Sequence, residues 1–315
     1  MSQVLVAGSY NAGLSMRVGA FPRPGETVLG GPFVTGPGGK GANQAIGAKR
    51  LGADVLFVTK LGDDPFGRSA ARLLEAEGLP ASGLLPSASP TGVAMIMTDQ
   101  EGENAIAVAP GANEELSVED VLGLGSDVDD AEVVVVQLEC SPDLAAGLCQ
   151  WAKVNGKRTV LNPAPWRPLP EVLWRAVDVA TPNRAELAGI AKALGLASPD
   201  PLVAAKELHV RGVADVIVTL GADGVLWVGD HGVMAVPAYP AKAVDTTGAG
   251  DAFSAALVAA LAAGEGMEQA IDLGCRAGAF CVEREGVIDG LARREDLERV
   301  ARDRASQRAV RTGPD

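Results

Sequence analysis

Short apolar runs bounded by glycine, proline and acidic residues recur along this chain, separated by stretches whose apolar positions follow helical spacing. Val4 to Ser9 reads as a first buried strand ending at its functional edge, and Asn11 follows at the carboxyl end, where parallel sheets place ligands. Between Arg17 and Pro37 the pattern changes to glycine, proline and alternating residues, which predicts a small β excursion away from the main sheet. Gly36 to Gln44 then opens a helix through about Leu51, and Asp54 to Lys60 forms the next strand. Asp63-Asp64-Pro65-Phe66-Gly67 caps a helix to about Glu77. Gly92 to Thr98 and Asn104 to Val108 flank a polar turn and predict a hairpin, placed beside the first excursion. Strands at 133–138, 159–162, 177–180 and 216–220 then alternate with helices at 143–155, 184–194 and 202–210. The patterning at 225–228 and 233–236 predicts two edge strands. A helix after Asp251, another to about Glu283 and an amphipathic one over 293–304 complete the chain, with a frayed polar tail from residue 306 to 315. The alternation is that of a mainly parallel sheet covered by helices on both faces.

Composition narrows the functional classes. The 315 residues are 47% hydrophobic and 21% charged, enough for a sizeable globular core. Net charge is −13, from 27 basic and 40 acidic side chains. That excess argues against nucleic acid or an anionic membrane as partner, so any phosphate site must be built locally. No run of about 18 apolar residues occurs, and the first residues do not have the pattern of a secretion signal, so a cytoplasmic protein is expected. Cys140, Cys149, Cys275 and Cys281 show no paired spacing and lie far in sequence from His209 and His231, which argues for reduced thiols rather than a zinc site.

The candidate chemistry centres on Asp245-Thr246-Thr247-Gly248-Ala249-Gly250-Asp251, followed by an Ala/Leu run. Gly248 and Gly250 permit a tight turn, and the run has the composition of a packed helix. The amides at such a start have no partner within the helix and suit a phosphate, while Asp251 beside them can take a proton from a hydroxyl. This is a phosphoryl-transfer arrangement. A capped helix start with a glycine turn fits the same spacing. Gly38-Gly39-Lys40-Gly41-Ala42-Asn43-Gln44 is neither of two better-known glycine loops. Gly41 stands where a nucleotide P-loop needs Ser or Thr, and Gln44 where the dinucleotide fingerprint needs glycine. Glu139 is delivered to a strand end, as a ligand-binding carboxylate or a solvated cap. Asn183 and Glu186, three residues apart at a helix start, have the spacing of a capping box.

These residues together resemble the ribokinase branch of the ribokinase-like, or PfkB, carbohydrate kinases. The early signature is Gly38 to Gln44 with Leu61-Gly62-Asp63-Asp64-Pro65-Phe66-Gly67, and the late one Asp245 to Phe253. Glu101 to Asn104, Gly111-Ala112-Asn113, Gln137-Leu138-Glu139, Asn162 to Pro165, Thr181-Pro182-Asn183 and Thr219-Leu220-Gly221 add to the likeness, which runs from Val4 to about Gly286. It implies a three-layer α/β domain of residues 1–12, 38–91 and 109–305, with a β-sheet lid of 13–37 and 92–108 through which two subunits form a homodimer. It implies a sugar kinase with ATP as donor, Mg²⁺ and a potassium ion, acting on the primary hydroxyl of D-ribose. Asp251 would be the base, with Gly248, Ala249 and Gly250 as anion hole. Asn11, Gly39, Lys40, Asn43 and Glu139 would hold the sugar. Asn183, Thr219, Gly221 and Gly250 would meet the nucleotide. Asn183 and Glu186 would serve magnesium indirectly, and Asp245, Thr247 and Gly286 the monovalent cation. Two positions depart from the pattern. Gly13 stands where the family usually has an aspartate gripping sugar hydroxyls, and Gly290 where it often has a serine near the cation. The first leaves another sugar (a ketohexose or deoxy sugar) or a nucleoside as an alternative acceptor, and a non-catalytic sugar-binding protein is the reading from a different class.

Overall fold

The computed structural model describes residues 3–311, with side chains as far as residue 302. Nine strands form the main sheet: β1 (Gln3–Ala7), β4 (Asp54–Gly62), β5 (Leu84–Ser87), β8 (Ala131–Gln137), β9 (Arg158–Asn162), β10 (Val179–Ala180), β11 (Asp215–Thr219), β12 (Val225–Gly229) and β13 (Gly232–Val236). Their spatial order is β13-β12-β11-β10-β9-β8-β1-β4-β5, parallel throughout except at the β11/β12 and β12/β13 pairs. After β1 the chain builds outward through β4 and β5, then returns to start the other half at β8. The two halves diverge between β1 and β8, which opens a crevice at the carboxyl ends of those strands.

The strands are Val-rich because both faces are covered. Val4, Val6, Phe57, Val133 and Val135 pack under helices Lys40–Arg50, Ala249–Ala262 and Met267–Val282. Leu5, Leu56, Val134, Val136 and Leu161 face helices Pro142–Val154, Arg184–Ala193 and Pro201–Val210 on the other side. The helix Ala249–Ala262 is buried on every side from Asp251 onward. Its small residues let neighbours approach closely. A Cβ on Gly47 would lie 2.6 Å from that of Ala255, and one on Gly274 2.7 Å from the ring of Phe253. Burying Phe253 alone contributes roughly 1.5–3 kcal/mol.

Four further strands, β2 (Asn11–Arg17), β3 (Phe33–Gly38), β6 (Val93–Thr98) and β7 (Asn104–Ala109), form a separate sheet in the order β3-β2-β6-β7. The main parallel sheet, its two helical covers and the second small sheet are the architecture expected from the sequence. Three details differ. The first excursion begins at Asn11 rather than near Arg17, because β2 follows β1 after only three residues. The strand β5 carries Pro86 and pairs on one side only, with β4, so its sequence gives no strand signal. The last helix runs over Arg294–Arg311, beyond residue 304. The expected frayed tail is thus helical from 306 to 311, and its remainder lies outside the described residues.

Candidate active site

The crevice between β1 and β8 gathers the first group. Glu139 follows β8 and is half-buried; its Oε2 accepts from Ser9 Oγ at 2.6 Å, from Asn11 Nδ2 at 3.2 Å and from the Lys40 amide at 2.9 Å. One carboxylate oxygen thereby ties together the end of β1, the start of β2 and the start of helix Lys40–Arg50. Gly39 makes the approach possible. Its φ is +93°, and a Cβ there would sit 2.7 Å from the Asn11 amide nitrogen. Asn113, 1% exposed, fixes the other side of Asn11. Its Nδ2 donates to Asn11 Oδ1 and to the Tyr10 carbonyl, both at 2.9 Å, and its Oδ1 accepts from the Tyr10 amide at 3.0 Å.

Asp251 is the second centre. It is 5% exposed in the first turn of helix Ala249–Ala262. Asn43 Nδ2 donates to its Oδ2 at 2.8 Å and Gln44 Nε2 to its Oδ1 at 3.0 Å. Asn43 Oδ1 is buried with no partner, as suits an acceptor for a substrate hydroxyl. The Asp251 carboxylate, followed by those of Glu139 and Glu186, raises the Lys40 ammonium's pKa above the usual lysine value, outweighing the opposing effect of burial. Lys40 therefore stays protonated and lends positive charge to the site.

In front of Asp251 the turn is left-handed at Gly248, with φ of +80°. Among the described residues, no protein acceptor pairs with the amides of Gly248, Gly250 or Asp251. The Ala249 amide differs from expectation: it donates to the Thr246 carbonyl at 3.3 Å, because Thr246 to Ala249 closes as a turn. Asp245, Thr247 and Gly286 come together as well. Asp245 Oδ1 accepts from the Thr247 amide at 2.9 Å and Oδ2 from the Gly286 amide at 3.4 Å. The Cys281 thiol leans on the Thr247 carbonyl at 3.6 Å, and burial, then Asp251 and Asp245, push its pKa up to about 12.

The remaining residues line the carboxyl ends of β10 and β11. Asn183 and Glu186 form a reciprocal capping box, each side chain accepting the other's amide at 2.9 Å. Burial raises the Glu186 carboxyl above its ordinary range, opposed by the Asn183 amide and by Lys40. Asn183 also bridges to Thr219, whose amide donates to the Pro182 carbonyl at 2.9 Å. Gly221, at φ of +62° and open to solvent, starts a single turn that Arg184 braces through a 2.6 Å ion pair with Asp223. No group of three or more His, Cys, Asp or Glu side chains forms a metal cluster among the described residues.

Sequence reasoning gave no role to Ser9, Asn113 or Gln44. Each acts through partners far along the chain, so no local spacing marks it.

A model of the pfkB family carbohydrate kinases matches residues 1–294. The chain belongs to that family. It is therefore a kinase, a phosphotransferase acting on a carbohydrate hydroxyl. Among PfkB relatives, it is 34% identical over 299 residues to a ribokinase of Bacillus subtilis, covering 95% of this chain and 99% of the relative. It is 36% identical over 254 residues to a deoxyribokinase of Salmonella typhi, covering 79% and 82%. The structure of an Arabidopsis thaliana ribokinase complexed with ribose and ATP superposes with a TM-score of 0.85 at 29% identity, covering 95% of this chain and 98% of the other. No helix among the described residues of this PfkB kinase is long and apolar enough to cross a membrane.

Proposed function

We infer that the chain is an ATP-dependent ribokinase, converting D-ribose to D-ribose 5-phosphate. The observation that carries this reading is Asp251 held from both carboxylate oxygens beside uncommitted amides at a helix start. The Glu139, Asn11 and Lys40 cluster stands at the same edge of the sheet. Glu139 and Asn11 orient the sugar, with Asn43 Oδ1 accepting from one of its hydroxyls. Asp251 accepts the proton of the primary hydroxyl as that oxygen attacks the γ-phosphate in line. A carboxylate is a weak base for an alcohol, so positioning and charge stabilisation carry most of the acceleration. The amides of Gly248 and Gly250 and the Lys40 ammonium meet the growing negative charge. Thr219, Gly221 and Asn183 stand where the nucleotide would lie.

Glu186 has one carboxylate oxygen committed to its cap and the other without a protein donor, and burial disfavours its charge, so it fits a cation nearby. Asn183 and Glu186 would hold Mg²⁺ through water, and when bound the ion offsets charge on the phosphates. The Asp245 carboxylate and the Thr247 carbonyl would offer oxygens to potassium, but Gly286 meets Asp245 through its amide, its carbonyl accepts from the Gly290 amide at 3.1 Å, and Gly290 adds no side-chain oxygen. The small sheet exposes Phe33, Val34, Met95, Ile106 and Val108, which supports a homodimer through it. Four buried free cysteines support a reducing, cytoplasmic setting.

Coupled ADP release over a panel of pentoses, hexoses and nucleosides, with and without potassium, tests the reading. Ribose should give the highest kcat/KM; another acceptor ahead of it would overturn the ribose assignment. Asp251→Asn should lower turnover about 10²–10⁴-fold with ATP binding retained, and near-normal turnover would remove Asp251 from its role. A second reading, 2-deoxyribose, is favoured by Gly13. In the small sheet Gly13 faces Gly36, whose carbonyl oxygen would lie 3.1 Å from a Cβ at position 13, so this wall offers no side-chain acceptor. A charged hydrogen bond is worth about 1.5–3 kcal/mol, so its absence narrows the preference for the fully hydroxylated sugar.

A further inference from the structure

Gln44 lies in the early signature with no part in the chemistry above, yet it is 1% exposed and touches Asp251. We propose that Gln44 is a positioning residue for Asp251, held by a buried carboxamide relay that is anchored on the backbone carbonyl of Thr181. The inference rests on Asp251 being the base.

The orientation of each amide in the relay follows from its fixed end. The Thr181 carbonyl can only accept, and Asn162 Nδ2 donates to it at 3.0 Å. Asn162 Oδ1 must then face Gln44, whose Nε2 donates to it at 3.1 Å. The second hydrogen of Gln44 Nε2 goes to Asp251 Oδ1, and Gln44 Oε1 accepts from Gln137 Nε2 at 2.8 Å. Turning Gln44 over would set its oxygen against two acceptors and its nitrogen against a donor. Turning Gln137 over would set its oxygen against Gln44 Oε1. Gln137 Oε1 is buried with no hydrogen-bond partner and fills the space that Gly8 leaves, 2.1 Å from where a Cβ would be. Gln44, Gln137 and Asn162 are all buried, so solvent does not compete. With Asn43 on Oδ2, the relay leaves the carboxylate a single orientation toward the acceptor hydroxyl. Among the described residues, the titratable groups that feel the Asp251 charge are Lys40, Glu186 and Cys281. None of them belongs to the relay.

The test uses the full chain with ribose and ATP, thermal unfolding being followed alongside. Gln44→Met should lower kcat about 30–100-fold with KM for both substrates within about twofold, since misplacing a reacting group by an ångström has effects of that size. Gln44→Glu supplies the readout that a structural role would not move. Its protonated form can still donate to Asp251, whereas its ionised form repels it. Its kcat relative to wild type should therefore rise about fivefold or more as pH falls from about 8 to about 6. Gln137→Met removes the lock while touching neither Asp251 nor substrate, and should lower kcat about tenfold at unchanged KM. A Gln137→Met enzyme with wild-type kcat overturns the relay, even if Gln44→Met fails to fold. A Gln44→Glu ratio that is flat with pH does so too. Absence of sugar turnover by the wild-type chain would instead remove the kinase reading, and the inference with it.

Discussion

Asn113 uses both ends of its carboxamide on the segment that leads into the small sheet, and so sets which face of the Asn11 amide meets Glu139. Asn113→Ala would leave the buried Tyr10 amide and carbonyl without this partner, at about 1–3 kcal/mol for each group. It would also free Asn11 to turn. The expected result is a KM for the sugar raised about tenfold or more, with a smaller change in KM for ATP, measured by steady-state kinetics on the folded fraction. Residues like this set the limit of sequence reading. Asp251 and Glu139 were legible because a helix start and a strand end mark them locally. Asn113 and Gln44 were not, since their partners Tyr10 and Asp251 are distant in sequence and come near only when the sheet closes. The pair Asn183 and Glu186 shows the converse: the spacing named a capping box, and the box is present.

At the scale of an element, the turn into helix Ala249–Ala262 depends on one glycine far more than on its neighbour. Gly248 is left-handed, and a Cβ there would lie 2.6 Å from Val287 Cγ1, whereas a Cβ on Gly250 meets nothing within 4 Å. Gly248→Ala should therefore cost about 1–2 kcal/mol from the backbone alone, plus displacement of Val287, and Gly250→Ala less. Urea unfolding of the two variants measures the difference. Elements with strong periodicity, such as β8 or helix Pro142–Val154, were readable in type and nearly in extent. The strand β5 was not, since an edge position and a proline erase the pattern that a fully paired strand carries.

Across the whole molecule, Arg50 ties its helix to two distant segments. Its guanidinium donates to both carboxylate oxygens of Glu77, at 2.6 and 2.9 Å, and to the carbonyls of Ile288 and Leu291. The hydrogen bonds from Arg50 hold the Glu77 carboxyl below its ordinary value of 4.5, against the opposing effect of burial. A depressed folded-state value means the pair's stabilisation is fully present above the unfolded value and is lost as pH falls through the folded one. Glu77→Gln should thus be less stable than wild type by about 1–3 kcal/mol near neutrality. The gap should stay constant down to about pH 5 and narrow below it, as read from denaturation midpoints across pH.

Asp251 and its helix sit within the helical cover of the main sheet, while Gly13 and Gly36 belong to four strands that form no ladder with it. In the proposed reading, the part of substrate choice that falls on Gly13 is therefore carried apart from Asp251, while Glu139, Lys40 and Asn43 would hold the sugar from the main body. New acceptors can be sought by grafting or reshaping the appended strands while the engine that moves the phosphoryl group is left as it is.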